Sequence, residues 1–284
     1  MLKRQKTETS ALKMDDIARL AGVSKSTVSR ALADSPLVNE RTKAKIRDLA
    51  QQHHYTIDQR ARNFRLQQTN TIGVAFPVRH NREQHISDPF FLDLLGHLAD
   101  GLTERGYAML LTKPKTGDDS WLDELVSTHH ADGLILMGQG KEHDRINKLA
   151  QTYAPLVVWG AEIQGQNYTS VGGDNLSGGF SATQHLIDQG RQRIVFLGSD
   201  QPPEIRDRYK GYLKAHQEAG ITVSPDLHIP VQLSNERAYE AMREQLTQGL
   251  KFDAVIAASD VIAMSAIRAL KEFGCNVPED VAVV

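Results

Sequence analysis

The sequence predicts a small all-α head followed by a larger α/β body. Apolar residues recur at helical spacing between residues 13 and 57, short apolar runs alternate with amphipathic stretches beyond residue 70, and charge divides between the same two regions. At 284 residues the chain is too long for one compact core and fits two or three domains. Residues 1–70 hold fourteen Lys and Arg against seven Asp and Glu, whereas residues 71–284 hold nineteen against twenty-eight. A basic head on an acidic body fits a polyanion at the head alone; a solvated basic tail has the same charge, so the pattern within the head must decide. With 40% hydrophobic and 24% charged residues, and no apolar run near the roughly 18 residues of a membrane span, no membrane partner is expected. The charged start, Met1-Leu2-Lys3-Arg4, has no apolar segment behind it, which predicts a cytoplasmic chain without a secretory leader. A single cysteine, Cys275, cannot close an internal disulfide.

Residues 1–12 are expected to be a disordered tail and residues 13–57 a helix-turn-helix. Ile17, Leu20 and Ala21 fall at i, i+3 and i+4, and Val28, Ala31 and Leu32 repeat that spacing, giving two short amphipathic helices. Gly22 can take the left-handed conformation that ends the first, Val23 turns inward, and Ser24 caps the second, leaving a turn of about three residues. Ala18 is small enough for the second helix to cross closely, the geometry of a DNA-binding motif; an ordinary helical hairpin is the alternative. Lys13 at the first N-cap is a poor capping residue, costing about 1 kcal/mol against Ser or Thr.

The second helix leaves Lys25, Ser26, Thr27, Ser29 and Arg30 outward, hydroxyls and cations with no acid among them. Such a face can enter a major groove. Arg30 can fork onto guanine O6 and N7, Lys25 and Ser26 can reach base edges, and Thr27 and Ser29 suit phosphate oxygens. Asn39 caps a third helix whose Ile46 and Leu49 face inward, and Tyr55 closes the small core. Ser24, Asn39 and Tyr55 complete the expected DNA-contacting set in this domain.

Beyond residue 70, Ile72–Phe76, Ala108–Leu111, Gly133–Met137, Leu156–Trp159, Ile194–Leu197 and Ala254–Ala257 read as buried parallel strands. Helical stretches such as Phe90–Arg105 and Asn175–Gln189 supply the crossovers. Ligands of such sheets sit beyond the carboxyl ends of the strands, so a pocket is expected in the loops. Gly138-Gln139-Gly140 lacks the third glycine of a dinucleotide fingerprint because His143 stands there. The adjacent pairs His53-His54 and His129-His130 lack metal-ligand spacing. No catalytic residue, metal or cofactor is expected.

The run Asp16-Ile17-Ala18-Arg19-Leu20-Ala21-Gly22-Val23-Ser24 with Thr27-Val28-Ser29-Arg30 resembles the N-terminal signature of the lactose/galactose repressor family of bacterial transcription factors. The resemblance continues through Asp88-Pro89-Phe90-Phe91, Gly172-Gly173-Asp174-Asn175, Arg208 with Gly211, and Val277-Pro278-Glu279-Asp280. It implies a body similar to periplasmic sugar-binding proteins, with parallel-sheet subdomains at 71–162 and 163–284 and a small effector, a sugar or sugar phosphate, in the cleft between them. It also implies double-stranded operator DNA as partner and a homodimer or tetramer. Residues 58–70 resemble a hinge helix that orders on DNA: Ala61 keeps the helix pair close, Arg62 and Arg65 lie near phosphates, and Phe64 stands where a leucine wedge enters the minor groove. Without the family analogy, Phe64 reads as a hydrophobic contact with the body.

Carried over by position, Arg208 is the effector-contacting arginine, and Asp88, Phe90, Met137, Trp159 and Asp260 lie at other strand ends that contact effector. Trp159 fits either stacking on a sugar face or core packing. Gly160 stands where some sugar-responsive members have an aspartate, a role Glu162 can take. The family pattern also implies roughly 45 further residues after Val284, so the body is expected to be incomplete. The function implied is a repressor on a pseudo-palindromic operator controlled by a sugar-like effector. The alternatives are a corepressor-dependent repressor responding to a purine and a cytoplasmic carbohydrate-binding protein.

Overall fold

The structure, a computed structural model, describes residues 12–53, 55, 68–76, 86, 88–113, 120–140 and 142–284. The chain divides into two compact units, 1–69 and 70–284. The expected hinge helix, with Ala61, Arg62, Phe64 and Arg65, lies outside the described residues. No helix among the described residues is long and apolar enough to cross a membrane.

The head is three helices, α1 (Met14–Ala21), α2 (Lys25–Leu32) and α3 (Glu40–Gln52). Lys13 is the N-cap of α1 and offers no side-chain acceptor, but the Asp16 carboxylate accepts its backbone N–H at 2.9 Å, which restores half of a capping box. Gly22 ends α1 at φ +70°, a left-handed conformation that costs glycine nothing, and the Val23 N–H returns to the Ala18 carbonyl at 3.0 Å. Ile17, Ala18, Ala21, Val28, Ala31, Val38 and Ile46 form the core, with Val23, Leu49 and Tyr55 packed against it.

Leu20 departs from its expected place in the apolar stripe and is 49% exposed. At about 100° per residue it lies about 110° from the centre of the arc that Ile17, Ala18 and Ala21 bury. Lys43, in contrast, is buried at 5% side-chain exposure, its ammonium held by Glu40 at 2.8 Å and Asp34 at 3.1 Å.

In the body, β1 (Thr71–Ala75), α4 (Pro89–Glu104), β2 (Ala108–Thr112), α5 (Trp121–Ser127), β3 (Gly133–Met137), α6 (His143–Ala150), β4 (Leu156–Trp159) and β5 (Thr169–Val171) form the first half. The second comprises α7 (Asn175–Asp188), β6 (Ile194–Leu197), α8 (Pro203–Glu218), β7 (His228–Ile229), α9 (Asn235–Thr247), β8 (Ala254–Ala257), α10 (Asp260–Glu272) and β9 (Ala282–Val283). Two all-parallel sheets result, ordered β2-β1-β3-β4-β5 and β7-β6-β8-β9. Every residue of the central β6 is buried, as helices on both faces demand, while the edge strand β2 is half exposed.

The expected subdomain boundary at 162/163 is corrected. β5 adds parallel to β4, with Trp159 opposite Val171, so the first sheet runs to Val171 and the division between sheets follows it. A three-residue strand with no apolar run, Thr169-Ser170-Val171, carries too little pattern to be read from sequence. In the second half α7 and α8 cross in close contact, because two glycines leave out their Cβ atoms. A Cβ on Gly179 would stand 2.1 Å from the Arg208 carbonyl oxygen, and one on Gly211 2.2 Å from that of Leu176.

Candidate functional site

The head presents one outward surface at the start and along the exposed side of α2. Ser24 accepts the Thr27 N–H on its Oγ at 3.2 Å and shares hydroxyl contacts of 2.8 Å with Ser26 and Thr27, which fixes the helix start. Lys25 and Ser26 are exposed there, Lys25 pairing with Asp15 at 2.9 Å, and Arg30 is exposed in the last turn. Thr27 and Ser29 are half-buried at the edge of the face. Asn39 caps α3 through the Thr42 N–H at 2.8 Å, and Tyr55 packs on the head's core. The described part of the expected set thus divides into an outward group on α2 and groups that hold its frame.

Both sheets of the body have a switch point where strand order reverses, between β1 and β3 and between β6 and β8, and loops diverge there beyond the carboxyl ends. A cavity of about 540 Å³ occupies that position. From the first half it is lined by Asp88, Phe90, Phe91, Met137, Gly138 and Trp159, and from the second by Glu204, Ile205, Arg208, Leu233, Ser259, Asp260 and Met264, among others. All six residues expected at the effector site therefore share one cavity, although they are scattered between positions 88 and 260.

Trp159 packs on its aromatic neighbours and also borders the cavity. Its indole lies 5.1 Å from Phe90 and 6.3 Å from Phe91 between ring centroids. Phe90 remains 48% exposed, so an aromatic surface faces the opening. Arg208 is half-buried, its Nε donating to Asn175 Oδ1 at 2.9 Å and its Nη1 to the Ala258 carbonyl. Burial pulls its guanidinium below the usual value, and the Glu204 and Asp260 carboxylates oppose that shift.

The expectation for Gly160 and Glu162 is corrected. Glu162 is exposed and not among the lining residues; the carboxylate that borders the cavity beside Gly160 is Glu204 on α8, its Oε1 accepting the Ala161 N–H at 3.2 Å across the two halves. A side chain at Gly160 would have to displace the ends of Gln139 and Glu204, since a Cβ would lie 2.2 Å from Gln139 Oε1 and 2.8 Å from Glu204 Oε1. Sequence reading missed Glu204, though Pro202-Pro203 after a strand marks a helix start and places the next residue in its first turn. Leu233 and Met264 gave no such signal, because only tertiary packing brings them to the cavity.

The description "Periplasmic binding proteins and sugar binding domain of LacI family" matches residues 74–284, and "Bacterial regulatory proteins, lacI family" matches residues 13–58. The chain belongs to the LacI family. The HTH-type transcriptional regulator RegA of Clostridium saccharobutylicum is 32% identical over 278 residues, covering 96% of this LacI-family chain and 82% of the relative. A solved complex of the transcriptional regulator CelR with cellobiose is 28% identical at TM-score 0.66, over 96% of this chain and 81% of that one. The Lac repressor dimer bound to operator and the anti-inducer ONPF aligns at TM-score 0.83 over 96% of this chain and 82% of that one; at 20% identity it shows the shared fold. As a LacI-family member the protein is a DNA-binding transcriptional regulator, and relatives such as RegA and the ribose operon repressor of Escherichia coli are named as regulators.

Proposed function

We propose that this protein is a repressor that binds a two-fold pseudo-palindromic operator as a dimer and loses affinity when a small sugar-like metabolite closes the cavity. The observation supporting this reading is the convergence of six residues, from the ends of β3 and β4 and the caps or first two turns of α4, α8 and α10, on a cavity between two halves, in a chain whose head turns cations and hydroxyls outward on α2. Arg30 reads guanine, while Lys25 and Ser26 reach neighbouring base edges and Thr27 and Ser29 meet phosphates. In the body, Phe90 and Trp159 take the apolar face of a ring, and Arg208 with the carboxylates of Asp88 and Asp260 takes its hydroxyls.

Regulation follows from linkage. A ligand that binds the closed body better than the open one shifts the population by its differential affinity, and DNA affinity changes by the coupling between the two sites. The Phe64 wedge and the basic Arg62 and Arg65 of the hinge segment belong to the DNA-bound state in this reading. The test is a binding titration with Arg30→Ala. Affinity for the operator should fall by about 1–3 kcal/mol while affinity for a random duplex changes little. An equal loss on both duplexes would exclude base reading by Arg30.

A further inference from the structure

The electrostatics of the cavity say more about its ligand than its size does. Three helices begin at its wall, α4, α8 and α10, and a helix N-terminus ordinarily attracts phosphate or carboxylate through its free N–H groups and dipole. Here the chain supplies its own anion at each. Asp88 caps α4 by accepting the Phe90 N–H at 3.0 Å. α8 starts on Pro202-Pro203, which have no N–H to offer, and carries Glu204 in its first turn. Ser259 caps α10, and Asp260 stands in its first turn.

Among the described lining residues Arg208 is the one cation, and two of its donors are already given to Asn175 and the Ala258 carbonyl. With about half a positive charge per helix N-terminus, three carboxylates and one guanidinium leave the described lining residues at about −0.5, close to neutral. An anionic ligand meets carboxylates where it needs donors, and a cation meets Arg208 and three helix dipoles. A neutral ring with hydroxyls finds carboxylate acceptors, guanidinium donors and the Phe90–Trp159 surface.

We propose that the cavity selects an uncharged, hydroxyl-rich ligand against its phosphorylated, carboxylated and amino counterparts, with Glu204 as the discriminating residue. Glu204 holds this position because Oε1 is tied to the Ala161 N–H of the opposite half and no Cβ at Gly160 displaces it or the neighbouring Gln139 side chain. Its carboxylate is therefore fixed where a phosphate approaching the α8 N-terminus must come.

This inference rests on the cavity being the effector site. The test is calorimetric titration of the full chain with matched neutral, phosphorylated, carboxylated and amino forms of glucose, galactose and ribose, and with cellobiose as a neutral disaccharide. The best neutral sugar should bind at least about tenfold more tightly than its charged forms. In Glu204→Gln, whose amide oxygen still accepts the Ala161 N–H, the preference over the phosphate ester should shrink about threefold or more. A phosphate ester that binds best, or a preference unchanged in Glu204→Gln, overturns the inference and leaves the effector site standing. Failure of every probe overturns the sugar-effector reading itself, and the inference with it.

Discussion

The head carries its outward chemistry on one short continuous stretch, residues 24–30, held by a single small core, whereas the cavity of the body gathers residues from position 88 to position 264. The first surface needs one helix and a cap; the second needs two sheets, five loops and a close helix crossing to exist at all. Damage therefore spreads differently. A change on α2 alters what is read without unmaking the frame, while a change in the body's packing removes the site along with the stability. The two tryptophans, Trp121 and Trp159, both lie in the body, so indole fluorescence follows the body alone while far-ultraviolet circular dichroism follows both units.

The largest effect that would break this contrast is expected from Gly179→Ala. Its Cβ would be driven into the Arg208 backbone, at 2.1 Å from the carbonyl oxygen, and neither helix can yield cheaply. The fluorescence-detected unfolding transition in urea should lose about 3 kcal/mol, and sugar binding should disappear with it. An unchanged transition would show that α7 and α8 can slide apart.

Ser24→Ala should cost less, about 1 kcal/mol, by removing the hydroxyl that accepts the Thr27 N–H at 3.2 Å. The loss should appear in circular dichroism and in DNA affinity, and not in fluorescence. A shift in both signals would mean that the two units do not respond separately.

The smallest effect concerns acid. His216 on α8 is 1% exposed, with Nε2 buried and Nδ1 at 2.9 Å from the Tyr212 carbonyl. Burial holds its imidazole below the ordinary value, against the opposing pull of that carbonyl. In the unfolded chain His titrates at about pH 6.5, so the unfolded state takes up the proton first as pH falls. Stability from keeping His216 neutral is present above that value and is lost as pH drops from there toward the lower folded value. His216→Leu should reduce the acid sensitivity of the body's melting temperature over this range; identical pH profiles for the two proteins would contradict it.

How much of this was legible beforehand follows from the same contrast. Gly22, Ser24 and Asn39 act through neighbours three or four residues away, so spacing alone predicts their roles. The strand runs were legible because parallel strands covered on both faces are apolar throughout, as in Ile194-Val195-Phe196-Leu197. Thr169–Val171 was not, since an edge strand of three residues has no hydrophobic demand to satisfy. The six cavity residues came from family resemblance rather than from spacing, and Glu204 escaped because its partner, Ala161, lies 43 positions away. Leu20 shows the opposite failure, a residue with the right spacing on the wrong side of its helix.

Lys43 bears on how salt should weaken the grip of the head on a duplex. Its ammonium is paired with Glu40 and Asp34, Lys45 donates to the Ala21 carbonyl at 2.9 Å, and Arg47 is engaged by Asp34 at 2.6 Å. These positive groups are already engaged by the head's own carboxylates and a backbone carbonyl, so fewer counterions leave the nucleic acid on docking than the fourteen basic residues of the first seventy suggest. The slope of log affinity against log salt should be correspondingly shallow, and the protein should keep hold of its site at ionic strengths that strip a simple polycation from DNA.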